Sequence, residues 1–197
     1  MKKISFLFVL LSLFFVSNSY AQKVSAAAFL GWSVPQGEAF TYDDGTGGKG
    51  GLGYTVDVLY HFAKFDQKLA VGLVYNGAIL AGGGDSDESL SIDMYGLNLY
   101  GVKGYYRFFN SGVSPYVSFS TGLSRLEVPE VTSNGVVISE GGSSFSLGVA
   151  PEVGVELGDF IISAMYMLPM KYETWSNEKE TAGSLQISLG WRFNYQL

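Results

Sequence analysis

The stretch that most constrains the fold is the last one, Ser184 to Tyr195. Leu185, Ile187, Leu189, Trp191, Phe193 and Tyr195 alternate with Ser184, Gln186, Ser188, Gly190, Arg192 and Asn194. Strict period two makes this a strand with one greasy face and one polar face. A soluble sheet can carry the same pattern. The aromatic ending and the arginine on the polar face favour a strand whose apolar side meets lipid and whose polar side lines a lumen.

The run Ser188-Leu189-Gly190-Trp191-Arg192-Phe193-Asn194-Tyr195 resembles the C-terminal assembly signal of bacterial outer-membrane β-barrel proteins, displaced by Gln196 and Leu197. The likeness to small OmpA- or OmpX-like barrels extends, as a pattern, over most of the chain. It implies an all-β fold, a single antiparallel up-and-down transmembrane barrel. It also implies outer-membrane lipid and lipopolysaccharide as surroundings, and the outer-membrane assembly machinery as a partner of the C-terminal strand. It implies little about activity.

The N-terminus reads as a secretory signal, residues 1–21. Lys2 and Lys3 precede an apolar core from Ile4 to Val16, and Ser19-Tyr20-Ala21 is a small-x-small cleavage site. The expected mature chain, residues 22–197, is one barrel domain. The chain has 12 basic and 18 acidic residues; losing Lys2 and Lys3 leaves ten basic residues and a net charge of −8. With no clustered Lys and Arg, nucleic acid is not an expected partner. Cysteine is absent, which removes disulfides and thiolate metal sites and leaves backbone pairing to hold an exported fold together.

Eight strands are expected: Val24–Trp32, Leu52–Phe62, Lys68–Leu80, Leu90–Phe108, Pro115–Leu126, Ser144–Leu157, Phe160–Tyr172 and Ser184–Tyr195. The 26 glycines and 15% aromatic residues suit strands better than helices. Leu97 and Leu99 are out of phase with Tyr100 and Val102, so a β-bulge near Gly96 is expected; another is expected at Pro151, which has no N–H for the ladder. Asn134-Gly135 marks a tight hairpin turn. Connections alternate long and short, as the outer loops and periplasmic turns of a membrane barrel do. A soluble periplasmic barrel is the competing fold.

The polar phase places Asp57, His61, Glu152, Glu156 and Arg192 in the lumen, joined by Lys103 and Arg107 if their register allows. Side chains fill the interior of so narrow a barrel, so these charges are expected to pair and plug it. His61, the only histidine, lies four residues after Asp57. The expectation is a lumen histidine paired with a carboxylate; a hydrolase would need a serine within hydrogen-bond reach, and none is near in sequence. Gly45-Thr46-Gly47-Gly48-Lys49-Gly50 formally matches G-x-G-x-x-G, but a strand follows it rather than a helix, so it reads as a loop. No cofactor is expected.

Two aromatic belts are expected at the membrane interfaces. Phe62, Tyr106, Phe108, Phe160, Trp191, Phe193 and Tyr195 fall towards the short-turn end, and Trp32, Tyr54, Tyr172 and Trp175 towards the long-loop end. The long loops are acidic: Glu38, Asp43 and Asp44; Asp85, Asp87 and Glu88; Glu130 and Glu140; Glu178 and Glu180. A weak divalent cation could sit there, although the spacing lacks that of a dedicated calcium loop. The role expected is non-enzymatic, structural or surface-interacting through these loops. The alternatives are a narrow channel, or a conduit for apolar molecules through a lateral opening, and last a lipid-modifying enzyme.

Overall fold

The computed structural model describes residues 23–41, 48–82, 90–92, 94–133, 136–139, 141–173 and 179–196. The signal segment, Asp43, Asp44, Gly45 to Gly47, Asp85, Asp87, Glu88, Asn134-Gly135, Glu140, Trp175 and Glu178 lie outside them.

The strands are β1 (Lys23–Gln36), β2 (Gly51–His61), β3 (Leu69–Leu80), β4 (Leu90–Ile92), β5 (Tyr95–Arg107), β6 (Val113–Val128), β7 (Val131–Ser133), β8 (Val136–Ser139), β9 (Gly142–Leu157), β10 (Phe160–Glu173) and β11 (Lys179–Gln196). Eight of them close an antiparallel barrel in the order β1-β11-β10-β9-β6-β5-β3-β2. β11 closes it by pairing with β1 from Lys23–Gln196 to Gln36–Gly183, so every barrel strand has two neighbours and no open edge. The short strands β4, β7 and β8 form a separate three-stranded sheet on the long connections, with β7 and β8 flanking the Asn134-Gly135 pair.

The outward face is apolar. Leu30, Trp32, Leu73, Val102, Phe119, Leu147, Val153, Ile162, Ile187, Leu189 and Phe193 are all exposed. A soluble barrel would bury such side chains; a continuous ring of them is the lipid-facing wall of a membrane barrel.

The inner face is layered. Towards the short turns it carries buried charge. Midway, the Asn76 amide donates to Thr55 Oγ1 (2.8 Å) and to Gln186 Oε1 (3.0 Å), and the Gln186 amide donates to Ser188 Oγ (2.7 Å). Towards the long loops it is apolar: Leu80, Tyr95, Leu97, Leu99, Leu126, Met165, Met167 and Tyr172 form one buried cluster. This layer explains the phase conflict in the sequence. β5 pairs without a shift from Tyr95 to Tyr106, so the expected bulge near Gly96 is absent. Leu97 and Leu99 are apolar because the interior is apolar at their level.

The segment expected as a featureless loop after β1 also contributes to this layer. A single 3-10 turn, Glu38–Phe40, drops the Phe40 ring into the mouth, edge-on to Tyr95 at 5.4 Å between centroids. The backbone N–H of Glu38 donates to Thr181 Oγ1 (3.2 Å), and Thr181 Oγ1 donates to Glu38 Oε2 (3.3 Å). At the other end, Gly190 is the one residue type that fits its place: a Cβ there would lie 2.4 Å from the Phe29 ring, which crosses the lumen in front of it.

Candidate functional site

The lumen charges come from strands far apart in sequence, brought to one level by barrel closure. Lys103 Nζ donates to Asp57 Oδ2 (2.8 Å) and Glu152 Oε2 (2.7 Å). Glu152 also accepts from the Tyr116 hydroxyl (2.5 Å) and Ser118 Oγ (2.8 Å). Glu156 accepts from Arg192 Nη1, from the Tyr105 hydroxyl (2.6 Å) and from Arg107 Nη1 (3.4 Å). Arg192 Nη2 lies 3.9 Å from Asp57 Oδ1, linking the two halves, and its guanidinium stacks over the Tyr105 ring at 4.7 Å. Three carboxylates meet three cations. All but Arg107 are almost fully buried; charges that deep persist only when paired, and each has an ionic partner, although Asp57 Oδ1 and Arg192 Nε and Nη2 make no hydrogen bond.

Four of the five residues expected in the lumen network, Asp57, Glu152, Glu156 and Arg192, therefore sit together, with Lys103 at the centre. His61 stands apart from them. The expectation that it pairs with a carboxylate is corrected: Asp57 is held by Lys103, and His61 Nε2 instead lies 2.8 Å from Ser25 Oγ. Its Nδ1 lies 3.0 Å from the Gln67 carbonyl. A carbonyl only accepts, so Nδ1 carries the proton and Nε2 accepts from the serine hydroxyl. Sequence reasoning missed Ser25, because 36 residues separate it from His61 and only the β1–β2 pairing unites them. The pair has the nucleophile–base contact of a hydrolase. Both residues are only 1% exposed, so a substrate cannot reach them in this conformation. The arrangement satisfies a buried imidazole.

Among the expected interface aromatics, Trp32, Tyr106, Phe108, Trp191, Phe193 and Tyr195 point outward and are exposed. Phe62 packs edge-on against Tyr60 at the short-turn end. Tyr172 is a correction. It is fully buried inside the barrel, because the β10–β11 register shifts between Met167 and Met170, around Pro169. That bulge reverses the side-chain phase of everything above it. Ser124 Oγ donates to the Asn98 carbonyl (3.0 Å), so its 2.6 Å contact with Tyr172 is a bond donated by the phenol. Tyr172→Phe is expected to cost about 1 kcal/mol, measured as a lower urea midpoint of the folded protein.

No curated protein matches the sequence. Among solved structures, the barrel resembles Neisserial surface protein A (NspA), with a TM-score of 0.59 and 19% identity, covering 90% of this chain and 100% of that one. It also resembles a major outer membrane protein from Thermus thermophilus, with a TM-score of 0.50 and 13% identity, covering 89% of this chain and 100% of that one. At such identities the likeness concerns the fold. The sequence itself matches the family described as outer membrane protein beta-barrel domain over residues 6–193. With its closed eight-stranded wall and apolar outer ring, the chain belongs to the outer membrane protein beta-barrel domain family.

Proposed function

We propose that the protein is a closed, non-enzymatic barrel of the bacterial outer membrane with a structural or surface-interaction role. One observation carries this reading: the lumen is filled across its section. The ion network closes it towards the short turns, and the apolar cluster with Phe40 closes it towards the long loops. Desolvated, mutually neutralised charges offer no aqueous path. The long-loop side then becomes the surface through which the barrel meets partners. Its described carboxylates include Glu38 and Glu130, both exposed. In this reading the signal segment is cleaved, the short turns face the periplasm, and the wall contacts outer-membrane lipid and lipopolysaccharide.

Conductance tests it. The refolded chain from Gln22 onward, inserted in a planar bilayer, is expected to give no discrete steps, with insertion verified separately by protease protection. Reproducible steps that change when Arg192 is replaced by glutamate would overturn the closed barrel and move transport to the front.

A further inference from the structure

One patch of the lipid-facing wall is polar. Asn98 is on the outward phase of β5, since Leu97 and Leu99 on either side of it point into the buried cluster. The outward row through it is Tyr54–Gly77–Asn98–Arg125, across β2, β3, β5 and β6. In the next row towards the short turns, Tyr75 faces Tyr100. In the next row towards the long loops, Gly96 faces Glu127.

Two glycines let the polar side chains converge. The Tyr54 ring crosses β3 over Gly77, where a Cβ would lie 2.4 Å from its hydroxyl. Glu127 leans over Gly96, where a Cβ would lie 2.9 Å from its Oε2. The Tyr54 and Tyr75 hydroxyls lie 3.0 Å apart, and 3.2 and 3.1 Å from Asn98 Oδ1. Tyr100 stacks on Tyr75 with ring centroids 4.8 Å apart, leaving its other face free. So enclosed, Asn98 is only 7% exposed although it faces outward. Its Oδ1 is occupied by the phenols. Its Nδ2 carries two hydrogens; among the described residues it donates to no acceptor, and it reaches the wall's outer surface. Beside it, Arg125 Nη1 lies 3.0 Å from Glu127 Oε1, and both side chains remain well exposed.

Depth and charge name the occupant. Asn98 is nine residues along β5 from Arg107 at the short-turn end. At about 3.3 Å per residue and a tilt of about 40°, that is roughly 23 Å, the top of an apolar band about 25 Å tall. Headgroups begin there, and an unmet donor on a membrane wall costs free energy unless something polar reaches it. The charges of Arg125 and Glu127 offset each other, so the patch gives a phosphate no net attraction. It does offer donors, acceptors and a free phenol face side by side. That suits the hydroxyls of a sugar, which both give and accept, and the C–H face of its ring. Next to the patch, the Arg125 guanidinium lies 5.8 Å from the Phe145 ring. There an outward hollow of about 270 Å³ is lined by Leu123, Phe145 and Leu147, an apolar seat for an attached hydrocarbon chain.

We propose that this patch binds the sugar headgroup of a glycolipid in the leaflet on the long-loop side. Asn98 Nδ2 and Arg125 donate to sugar hydroxyls, Glu127 accepts from them, and Tyr100 covers one face of the ring. The assignment rests on the reading that the wall meets outer-membrane lipid, and is independent of whether the lumen conducts.

Native mass spectrometry tests it on protein refolded into phosphatidylcholine vesicles that also contain equal amounts of monogalactosyldiacylglycerol and phosphatidylglycerol. The parent is expected to keep one galactolipid in about tenfold preference to phosphatidylglycerol, the worth of one or two hydrogen bonds. Asn98→Leu should abolish the preference. Gly77→Ala keeps every polar group but pushes the Tyr54 hydroxyl away from Asn98, and should weaken it. Leu73→Ala, elsewhere on the outer wall, should leave it unchanged. Heat-dependent gel mobility confirms that each variant is folded. Octyl galactoside should displace the lipid where free galactose at the same concentration does not. Equal retention of the two lipids by the parent, or a preference that survives both Asn98→Leu and Gly77→Ala, overturns the site. Retention of phosphatidylglycerol over the galactolipid would make Arg125 a phosphate ligand and overturn the sugar. Displacement by galactose as effective as by octyl galactoside would overturn the lipid. A parent that carries no lipid of any kind would remove the membrane reading itself, and the site with it.

Discussion

Lys103→Met is expected to destabilise the barrel by about 3–5 kcal/mol, the usual loss when one partner of a buried ion pair is removed. Methionine matches the length and most of the volume of lysine, so the substitution removes charge without opening a large void. What remains is Asp57 and Glu152, both buried, with their shared cation gone. Arg192 cannot take over, since its Nη1 is committed to Glu156 and its Nη2 reaches Asp57 only at 3.9 Å. Either carboxylate must then stay charged without a partner or bind a proton, and both cost free energy. Urea titration of the refolded protein would show the loss as a lower midpoint. The double change Lys103→Met, Glu152→Gln leaves two carboxylates, Asp57 and Glu156, with two cations, Arg107 and Arg192, and is expected to recover part of the loss, because no buried charge is then in excess. A Lys103→Met protein as stable as the parent would mean that the lumen is wet and the charges solvated. The closed-barrel reading would fall with it.

The outward half of this fold was legible in the sequence because lipid imposes a single rule on it. Leu185 to Tyr195, Leu52 to Phe62 and Leu147 to Val155 alternate cleanly because one face meets hydrocarbon and the other a polar interior. The inward half follows no single rule. Where the interior turns apolar, at Leu97 and Leu99, the inward phase of β5 is greasy while Gly96 and Asn98 hold the other phase, so the alternation inverts, which the sequence presents as a bulge. The real bulge lies at Pro169, inside a run apolar on both sides, where nothing in the pattern marks a phase change; Tyr172 was misplaced for that reason. Asp57, Glu152, Glu156 and Arg192 could be named from strand phase alone, whereas Lys103 and Arg107 depended on the register of their strand. Their partners could not, because Ser25 with His61, Lys103 with Glu152 and Phe40 with Tyr95 are neighbours only through pairing across the barrel. Pro151 stood out in the sequence as awkward in a strand. No bulge forms there: the β6 ladder runs through Phe119–Pro151 without a shift, and the β10 ladder ends one residue short of it, at Glu152. Which of the two ladders would yield depends on register, and register came only with the structure.

Leu189→Arg is expected to cost about 2–4 kcal/mol, and Tyr195→Arg no more than about 1 kcal/mol, although both sites are 67% exposed. The contrast comes from depth. Leu189 lies at the middle of the outward row from Leu185 to Tyr195, flanked by Leu30 on β1 and Ile162 on β10. An arginine there has apolar side chains on both sides and hydrocarbon in front. Its guanidinium must either lose its hydration or draw water and headgroups into the bilayer, and both are unfavourable. Tyr195 lies beside Val24 at the very end of the barrel, where a long cationic side chain reaches the headgroups directly. A soluble barrel makes the opposite forecast. Exposed surface substitutions in water shift stability by no more than about 0.5 kcal/mol wherever they fall, so the two variants would be alike. Unfolding free energies of both proteins refolded into vesicles decide between them. Equal midpoints would remove the membrane from the account of this wall. A loss at Leu189 that fades towards Tyr195 would place the centre of the bilayer at the level of Leu30, Ile162 and Leu189.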